Sequence, residues 1–290
     1  NLVVVDQGAK IVNIKRDTDK KEMPPVIVEK SDGSAIYATT DLATIMQRVE
    51  KYDPKYILYV VDARQSLHFE GVFRIAQMLG YTNNLEHIAF GTINGSDGKP
   101  FKTRSGETLK LDELINNTKE IFLSKREENK NMSSVDLDKI VNSIIKYADL
   151  QNNREKSYNF DIAKFSEVSG KTGPYILYSA LRIRKILTTN TFNKGNVSDT
   201  IYNDIDKNLR LKLLDFNKYL DKAIEDRLPS VIAEYVYDLA NLLNSFYQNI
   251  NISKIEDETM KNDYLNILDL SFNVLKECLD LLIIELPSEM

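Results

Sequence analysis

Residues 56–93 constrain the fold most. Tyr56-Ile-Leu-Tyr-Val-Val61 is a continuous run of apolar β-branched and aromatic residues, the pattern of a strand buried on both faces of a parallel sheet. Phe69, Val72, Phe73, Ala76 and Leu79 then recur at helical spacing, with Ser66 as N-cap and Gly80 as the C′ stop. His87-Ile-Ala-Phe-Gly-Thr-Ile93 supplies a second strand. Strand, helix, strand predicts a right-handed βαβ unit, and ligands of such sheets sit beyond the carboxyl ends of the strands. Residues 62–66 and 94–106 fall there.

The flanks read differently. Residues 2–5, 11–14 and 26–28 are short β-rich runs separated by polar breaks, expected to form a small antiparallel sheet or insertion to which no function is assigned. Ser31-Asp-Gly-Ser34 is a turn and Ala35-Ile-Tyr-Ala38 a short strand. Leu42, Ala43, Ile45, Met46 and Val49 form the apolar face of a helix opened by Thr39, Thr40 and Asp41. Past Leu111 the strand signals fade and helical stripes take over. The first is Leu137, Ile140, Val141, Ile144 and Ala148; the second is Leu209, Leu213, Phe216, Leu220 and Ile224. Ile232, Tyr235, Leu239, Leu242, Phe246 and Ile250 make a third, and Tyr264, Leu268, Phe272, Leu275, Leu279 and Leu282 a fourth. The charged stretch Lys125-Arg-Glu-Glu-Asn-Lys-Asn131 reads as an exposed connector. It sets the expected division into an α/β part, residues 1–126, and an all-α part, residues 127–290.

Composition excludes several classes. With 290 residues, 42% hydrophobic and 28% charged, the chain is long enough for two packed domains. One cysteine, Cys278, rules out an internal disulfide and a cysteine-based zinc cluster and suits a reducing cytoplasm. Two histidines, His68 and His87, make a His-rich metal site unexpected, and no structural metal is expected. No apolar run has the length of a bilayer span, and the first residues carry no signal-peptide pattern. A net charge of −5 argues against a generally basic nucleic-acid binder. Charge is nevertheless uneven: residues 182–222 hold nine Lys/Arg against five Asp, and residues 251–290 three Lys against nine Asp/Glu.

Asp97-Gly-Lys-Pro-Phe-Lys-Thr-Arg-Ser-Gly106 places Lys99, Lys102 and Arg104 between two glycines, just past a strand. Such a loop suits a triphosphate; the alternative is a solvated hairpin loop. Taken singly, Tyr37 reads as core, Asp41 as a first-turn helix acid and Gln65 as a loop residue. His68 faces either solvent or a nucleotide. Gly170-Lys-Thr-Gly-Pro-Tyr175 reads as a glycine turn with Pro174 starting a helix that bears Arg182 and Arg184. Tyr175, Tyr178, Tyr235 and Phe246 could stack on unpaired bases, but their helical spacing favours core packing.

These segments together resemble arginyl-tRNA synthetases of class I, over residues 32–290. Phe101-Lys-Thr-Arg-Ser105 resembles the degenerate form of the signature Lys-Met-Ser-Lys-Ser; Arg104 then takes the place of its second lysine, which stabilises the pyrophosphate leaving group. Tyr37-Ala-Thr-Thr-Asp-Leu-Ala43 and Val61-Asp-Ala-Arg-Gln-Ser-Leu-His-Phe69 resemble the family segments whose tyrosine, aspartate and glutamine read the substrate guanidinium. Gly170–Tyr175, Tyr235-Val-Tyr-Asp-Leu-Ala-Asn241, Ser245-Phe-Tyr247 and Leu286-Pro-Ser-Glu-Met290 resemble signatures of its helical anticodon-binding part.

The resemblance implies the second half of a Rossmann-like catalytic domain followed by an anticodon-binding bundle from about 170 to 290. It implies Lys102 and Arg104 as catalytic residues, and Tyr37, Asp41 and Gln65 as arginine-binding ones. His68, Lys99, Lys102, Thr103, Arg104 and Ser105 are the expected ATP contacts, and Arg182, Arg184 and Lys185 the expected tRNA contacts. The implied partners are arginine, ATP with Mg²⁺ and tRNA-Arg, and the expected state is a cytoplasmic monomer. A planar five-donor guanidinium suits a carboxylate acceptor in a way that an ammonium does not.

Two family features are absent from the sequence: the His-x-Gly-His motif and the N-terminal domain that touches the tRNA elbow. The start without methionine suggests a piece of a longer protein, with Met290 as its natural end, and a piece that does not activate arginine by itself. Cysteinyl-tRNA synthetase shares the layout but selects its substrate with zinc ligands that Cys278 alone cannot build. A non-catalytic tRNA-binding paralogue is the remaining alternative; intact Tyr37, Asp41 and Gln65 speak against it.

Overall fold

Short β-branched runs build the first strands. In the computed structural model, which describes residues 2–95, 98, 110–125, 132–195 and 197–290, β1 (Val3–Asp6), β2 (Ala9–Val12) and β3 (Val26–Glu29) form an antiparallel sheet in that order. The chain divides into two compact units, Asn1–Thr92 and Ile93–Met290.

In the first unit, Ala35 makes only a single bridge to Glu29, and α1 runs Tyr37–Tyr52. The short strand expected at 35–38 is therefore helical at Tyr37 and Ala38. Thr39 explains the early start: its hydroxyl bonds to the Val28 carbonyl and accepts from Ile36 N at 3.5 Å, turning the chain as it leaves β3. Asp41 consequently sits in the second turn of α1, not the first.

β4 (Tyr56–Asp62) and β5 (Asn84–Phe90) pair in parallel from Tyr56↔Asn84 to Asp62↔Phe90, joined through α2 (Ser66–Met78), as a βαβ unit requires. Burial on both faces, expected for β4, is not found. Ile57 is 7% exposed but Tyr56, Leu58 and Val60 are 46%, 45% and 66% exposed, because no described element of this unit covers their face. Ser66 is the first residue of α2 and Gln65 its N-cap; the Ser66 hydroxyl donates backwards to the Ala63 carbonyl at 2.6 Å instead. Gly80, at φ +92°, ends the helix in the left-handed conformation that glycine accepts. Arg74, 8% exposed, ties the 13–23 segment to α2, donating to both Asp19 carboxylate oxygens at 2.7 Å and to the Ile14 carbonyl at 3.0 Å.

The second unit is mainly helical, and helix begins earlier than expected. α3 (Leu111–Lys125) precedes α4 (Ser134–Leu150), α5 (Ile162–Phe165), α6 (Gly173–Thr189), α7 (Asp204–Leu214), α8 (Phe216–Asp226), α9 (Pro229–Asn249) and α10 (Glu258–Leu281). Of the expected strand at 87–93, its end belongs elsewhere: β6 (Ile93–Asn94) pairs in parallel with β7 (Tyr158–Asn159). The connector residues 126–131, and with them the expected boundary, lie outside the described residues.

The first, third and fourth stripes bury as expected. Ile140, Ile144, Tyr235, Leu239, Phe246, Tyr264, Leu268 and Leu275 all have no exposed surface, and burying a side chain of Leu or Ile size contributes about 1.5–3 kcal/mol. The second stripe is two helices, α7 and α8, meeting at Asp215. Only Leu209 in it is fully buried, while Ile224 is 55% exposed. Apolar spacing carries across the break, which hides it in the sequence.

Candidate functional site

β4 ends at Asp62, and a 3-10 turn, Ala63–Gln65, leads into α2. Short polar residues close this turn. Asp62 accepts from Arg64 N at 2.8 Å, Nε at 2.9 Å and Nη2 at 2.7 Å. The Arg64 guanidinium and backbone N–H hold the Asp62 carboxyl down at about 2. The turn so fixed presents Gln65, exposed, at the carboxyl end of a parallel strand.

Tyr37 opens α1 with 84% of its surface exposed, so its reading as core is wrong. Asp41 follows four residues later on the same helix face. Its carboxylate is half-buried and meets the other helix directly: His68 Nε2 lies 2.7 Å from Asp41 Oδ2. That contact sets the α2 turn after Gln65 against the α1 turn after Tyr37. Tyr37 and Gln65 have no side-chain hydrogen bond to Asp41 among the described residues. Tyr37 instead opens α1 and Gln65 caps α2, the two helices that Asp41 and His68 join. Between them, α1 and the turn before α2 offer an exposed ring, a carboxylate and a side-chain amide, acceptors and a stacking surface suited to a planar multi-donor cation.

Tyr59 enters the sequence reading only as part of an apolar run. It lies in β4 with its ring against Phe69 and Phe73, centroids 4.9 and 5.4 Å away, and burial pushes its phenol above its ordinary value. Only its place within an apolar run could have marked it, and that signal says core. Lys99, Lys102, Thr103, Arg104 and Ser105 lie outside the described residues.

In the second unit, Thr172 caps α6 and Pro174 occupies its first turn. The helix carries Arg182 between two aromatic rings, its guanidinium 4.2 Å from the Tyr178 centroid and 4.8 Å from that of Tyr247. Arg182 Nη2 also donates to the Tyr178 hydroxyl at 2.9 Å. Arg184 donates to the carbonyls of Pro287, at 3.2 Å, and Ser288, so its guanidinium holds the chain's last residues. Asp136 grips the same tail through Ser288 N at 2.6 Å and the Ser288 hydroxyl. Burial alone would raise that carboxyl, but hydrogen bonds from Ser288 and Ser133 hold it below the usual range. Lys185 is exposed. Tyr178, Arg182, Lys185, Tyr247 and Met290 line an open cleft of about 540 Å³. Tyr235 and Phe246 have no exposed surface and are core, whereas Tyr175 donates to Asn241 Oδ1 at 2.7 Å.

Among the described residues no group of three His, Cys, Asp or Glu could hold a metal ion, and no helix is long and apolar enough to cross a membrane. Cys278 is buried, which pushes its thiol up to about 12.

Residues 1–162 match the family model described as tRNA synthetases class I (R), catalytic domain, and residues 176–290 match the DALR anticodon binding domain. The chain is 42% identical over 300 residues to an arginine–tRNA ligase of Alkaliphilus oremlandii, and 40% identical over 301 residues to one of Francisella tularensis subsp. novicida. Each match takes in 100% of this chain but 51% of the relative, so the chain spans about half the length of the relatives it matches. Among solved structures it is similar to arginyl-tRNA synthetase of Plasmodium falciparum, with a TM-score of 0.80 at 26% identity over 100% of this chain and 50% of the other. The Thermus thermophilus arginyl-tRNA synthetase shares the fold, with a TM-score of 0.85 at 20% identity over 100% of this chain and 56% of the other.

Proposed function

Because the chain belongs to the class I (R) tRNA synthetase family, we propose that it carries the arginine-reading and tRNA-binding parts of an arginine–tRNA ligase. Such an enzyme activates arginine with ATP and transfers it to tRNA-Arg. The observation that carries the reading is Asp41, a half-buried carboxylate flanked on its own helix by Tyr37 and held from the next helix beside Gln65. In this reading Asp41 accepts the substrate guanidinium, the Tyr37 ring stacks on it or donates its hydroxyl, and the Gln65 carbonyl takes a further donor. Lys102 and Arg104 belong to the loop that faces ATP with Mg²⁺, and Arg104 acts on the pyrophosphate leaving group. Lys99, Thr103 and Ser105 share that loop's phosphate contacts.

Activation is an in-line attack of the substrate carboxylate on the α-phosphate, so positioning and charge stabilisation suffice and no general base is needed. Arg182 and Lys185 contribute to the tRNA contact: the Tyr178 and Tyr247 rings hold the Arg182 guanidinium, and Lys185 adds an exposed cation without an ion-pair partner among the described residues. Arg184 contributes by fixing the tail beside them. The proposed whole is a cytoplasmic monomer.

The sequence contains no His-x-Gly-His, the motif expected to grip the other side of ATP. Since positioning can be worth about 7–11 kcal/mol, the 290-residue chain by itself is expected to bind tRNA-Arg without activating arginine. ATP–pyrophosphate exchange with arginine, Mg²⁺ and cognate tRNA, run beside a filter-binding salt titration, tests both halves. The reading predicts no exchange above the no-enzyme control and tRNA binding that weakens as salt rises. Exchange would refute the inactive half, and no tRNA binding at low salt would refute the other.

A further inference from the structure

The Asp41–His68 contact does more than pin two helices together. The partners lie 27 residues apart, on α1 and α2, and approach to 2.7 Å. Their side chains are 31% and 30% exposed, a partly dry setting in which a charge-assisted hydrogen bond fixes direction. An ionised carboxylate only accepts, so Nε2 of His68 carries the hydrogen. Among the described residues the second oxygen, Asp41 Oδ1, has no hydrogen-bond partner.

The imidazole is itself held. Its ring stands edge-on to Phe69, centroids 5.1 Å apart at 79°, and Phe69 is 5% exposed within the core of the unit. Core packing thus orients the imidazole, the imidazole orients one carboxylate oxygen, and the other oxygen is left without a hydrogen-bond partner among the described residues. Recognising a planar fork demands such an arrangement, since a carboxylate free to rotate about its χ2 loses the alignment a bidentate partner needs.

Resting on the reading of Asp41 as the guanidinium acceptor, we propose that His68 is a positioning residue for arginine. Its Nε2–H fixes the Asp41 carboxylate in the orientation that receives the guanidinium. A neutral imidazole suits this task, because it orients the carboxylate without cancelling the charge that attracts the substrate. Glutamine can offer an amide N–H near the same point; leucine fills the space and offers nothing.

Titration calorimetry of the full 290-residue chain with arginine separates the possibilities, using wild type, His68→Leu, His68→Gln and Asp41→Asn. The proposal predicts at least about tenfold weaker binding for His68→Leu and an affinity within about threefold of wild type for His68→Gln. His68→Leu within twofold of wild type, with Asp41→Asn weakened, would overturn the positioning role and leave the pocket standing. Absence of arginine binding by wild type, or Asp41→Asn binding as wild type does, would overturn the pocket reading and this role with it. Should the leucine variant fail to fold, ¹⁵N spectra of the wild-type imidazoles decide, made simple by the presence of only two histidines. The Nε2–H tautomer at His68, lost in Asp41→Asn, supports the contact, and the Nδ1–H tautomer overturns it.

Discussion

At the scale of single residues, the hydrogen bonds that polar side chains make decide what each can do. Asp19 is an example outside the proposed pocket. The Arg74 guanidinium holds its carboxyl down at about 2, against an ordinary 3.8. A carboxylate with a lowered folded pKa stabilises the fold above its unfolded value, and that contribution is lost as pH falls through the folded one. The first unit should therefore lose stability between about pH 4 and pH 2, and Asp19→Asn should flatten that part of the profile while lowering stability near neutrality. Thermal unfolding followed across this window checks it; an unchanged acid limb in the variant would remove the pair from the account. For Arg104 the expected signature is kinetic. In a protein of the relatives' full length that carries this chain, Arg104→Ala should lower kcat for activation roughly 100-fold with little change in the KM for ATP. A raised KM with kcat intact would mean that the loop merely holds nucleotide. The family was legible at this scale because its motifs are short and local. The Asp41–His68 contact was not, since nothing in a sequence reports that residues 27 apart come within hydrogen-bonding distance.

Among elements, periodicity located the helices well and their junctions poorly. Leu209 to Ile224 kept one stripe across the α7–α8 break because the turn at Asp215 stays close to helical geometry, with φ −75° and ψ −8°. The buried-strand pattern of Tyr56–Asp62 likewise described the strand and not its cover: a run apolar on both faces says that both can be buried, not that this chain supplies both layers. Gly173 shows a signal hidden behind a motif. Gly170, at φ +72°, makes the turn, but Gly173 is there for space: a Cβ on it would sit 2.4 Å from the Ser143 carbonyl oxygen of α4. Gly173→Ala must push α6 from α4 and should destabilise the second unit by about 1–3 kcal/mol, whereas Gly195→Ala, with open space around it, should leave stability near wild type. Denaturant midpoints of the two variants test this, and equal midpoints would contradict the close approach.

For the molecule as a whole, the division of labour follows the two kinds of apolar pattern. Parallel-strand runs and their turns belong to the first unit, for which arginine reading is proposed, and long stripes to the helical unit that carries Arg182 and the tail-bound Arg184. The net charge of −5 hides a locally basic stretch, because the acidic excess lies mostly in residues 251–290 and the basic excess in residues 182–222. The central claim is that Asp41 reads a guanidinium, and the most direct measurement is a titration of the chain with arginine and with citrulline, which keeps the shape and lacks the charge. Losing a hydrogen-bonded charge pair costs about 2–5 kcal/mol, so arginine should bind at least about thirtyfold more tightly than citrulline, and Asp41→Asn should erase most of that preference. Equal affinities for the two ligands, or a preference that survives in Asp41→Asn, would contradict it.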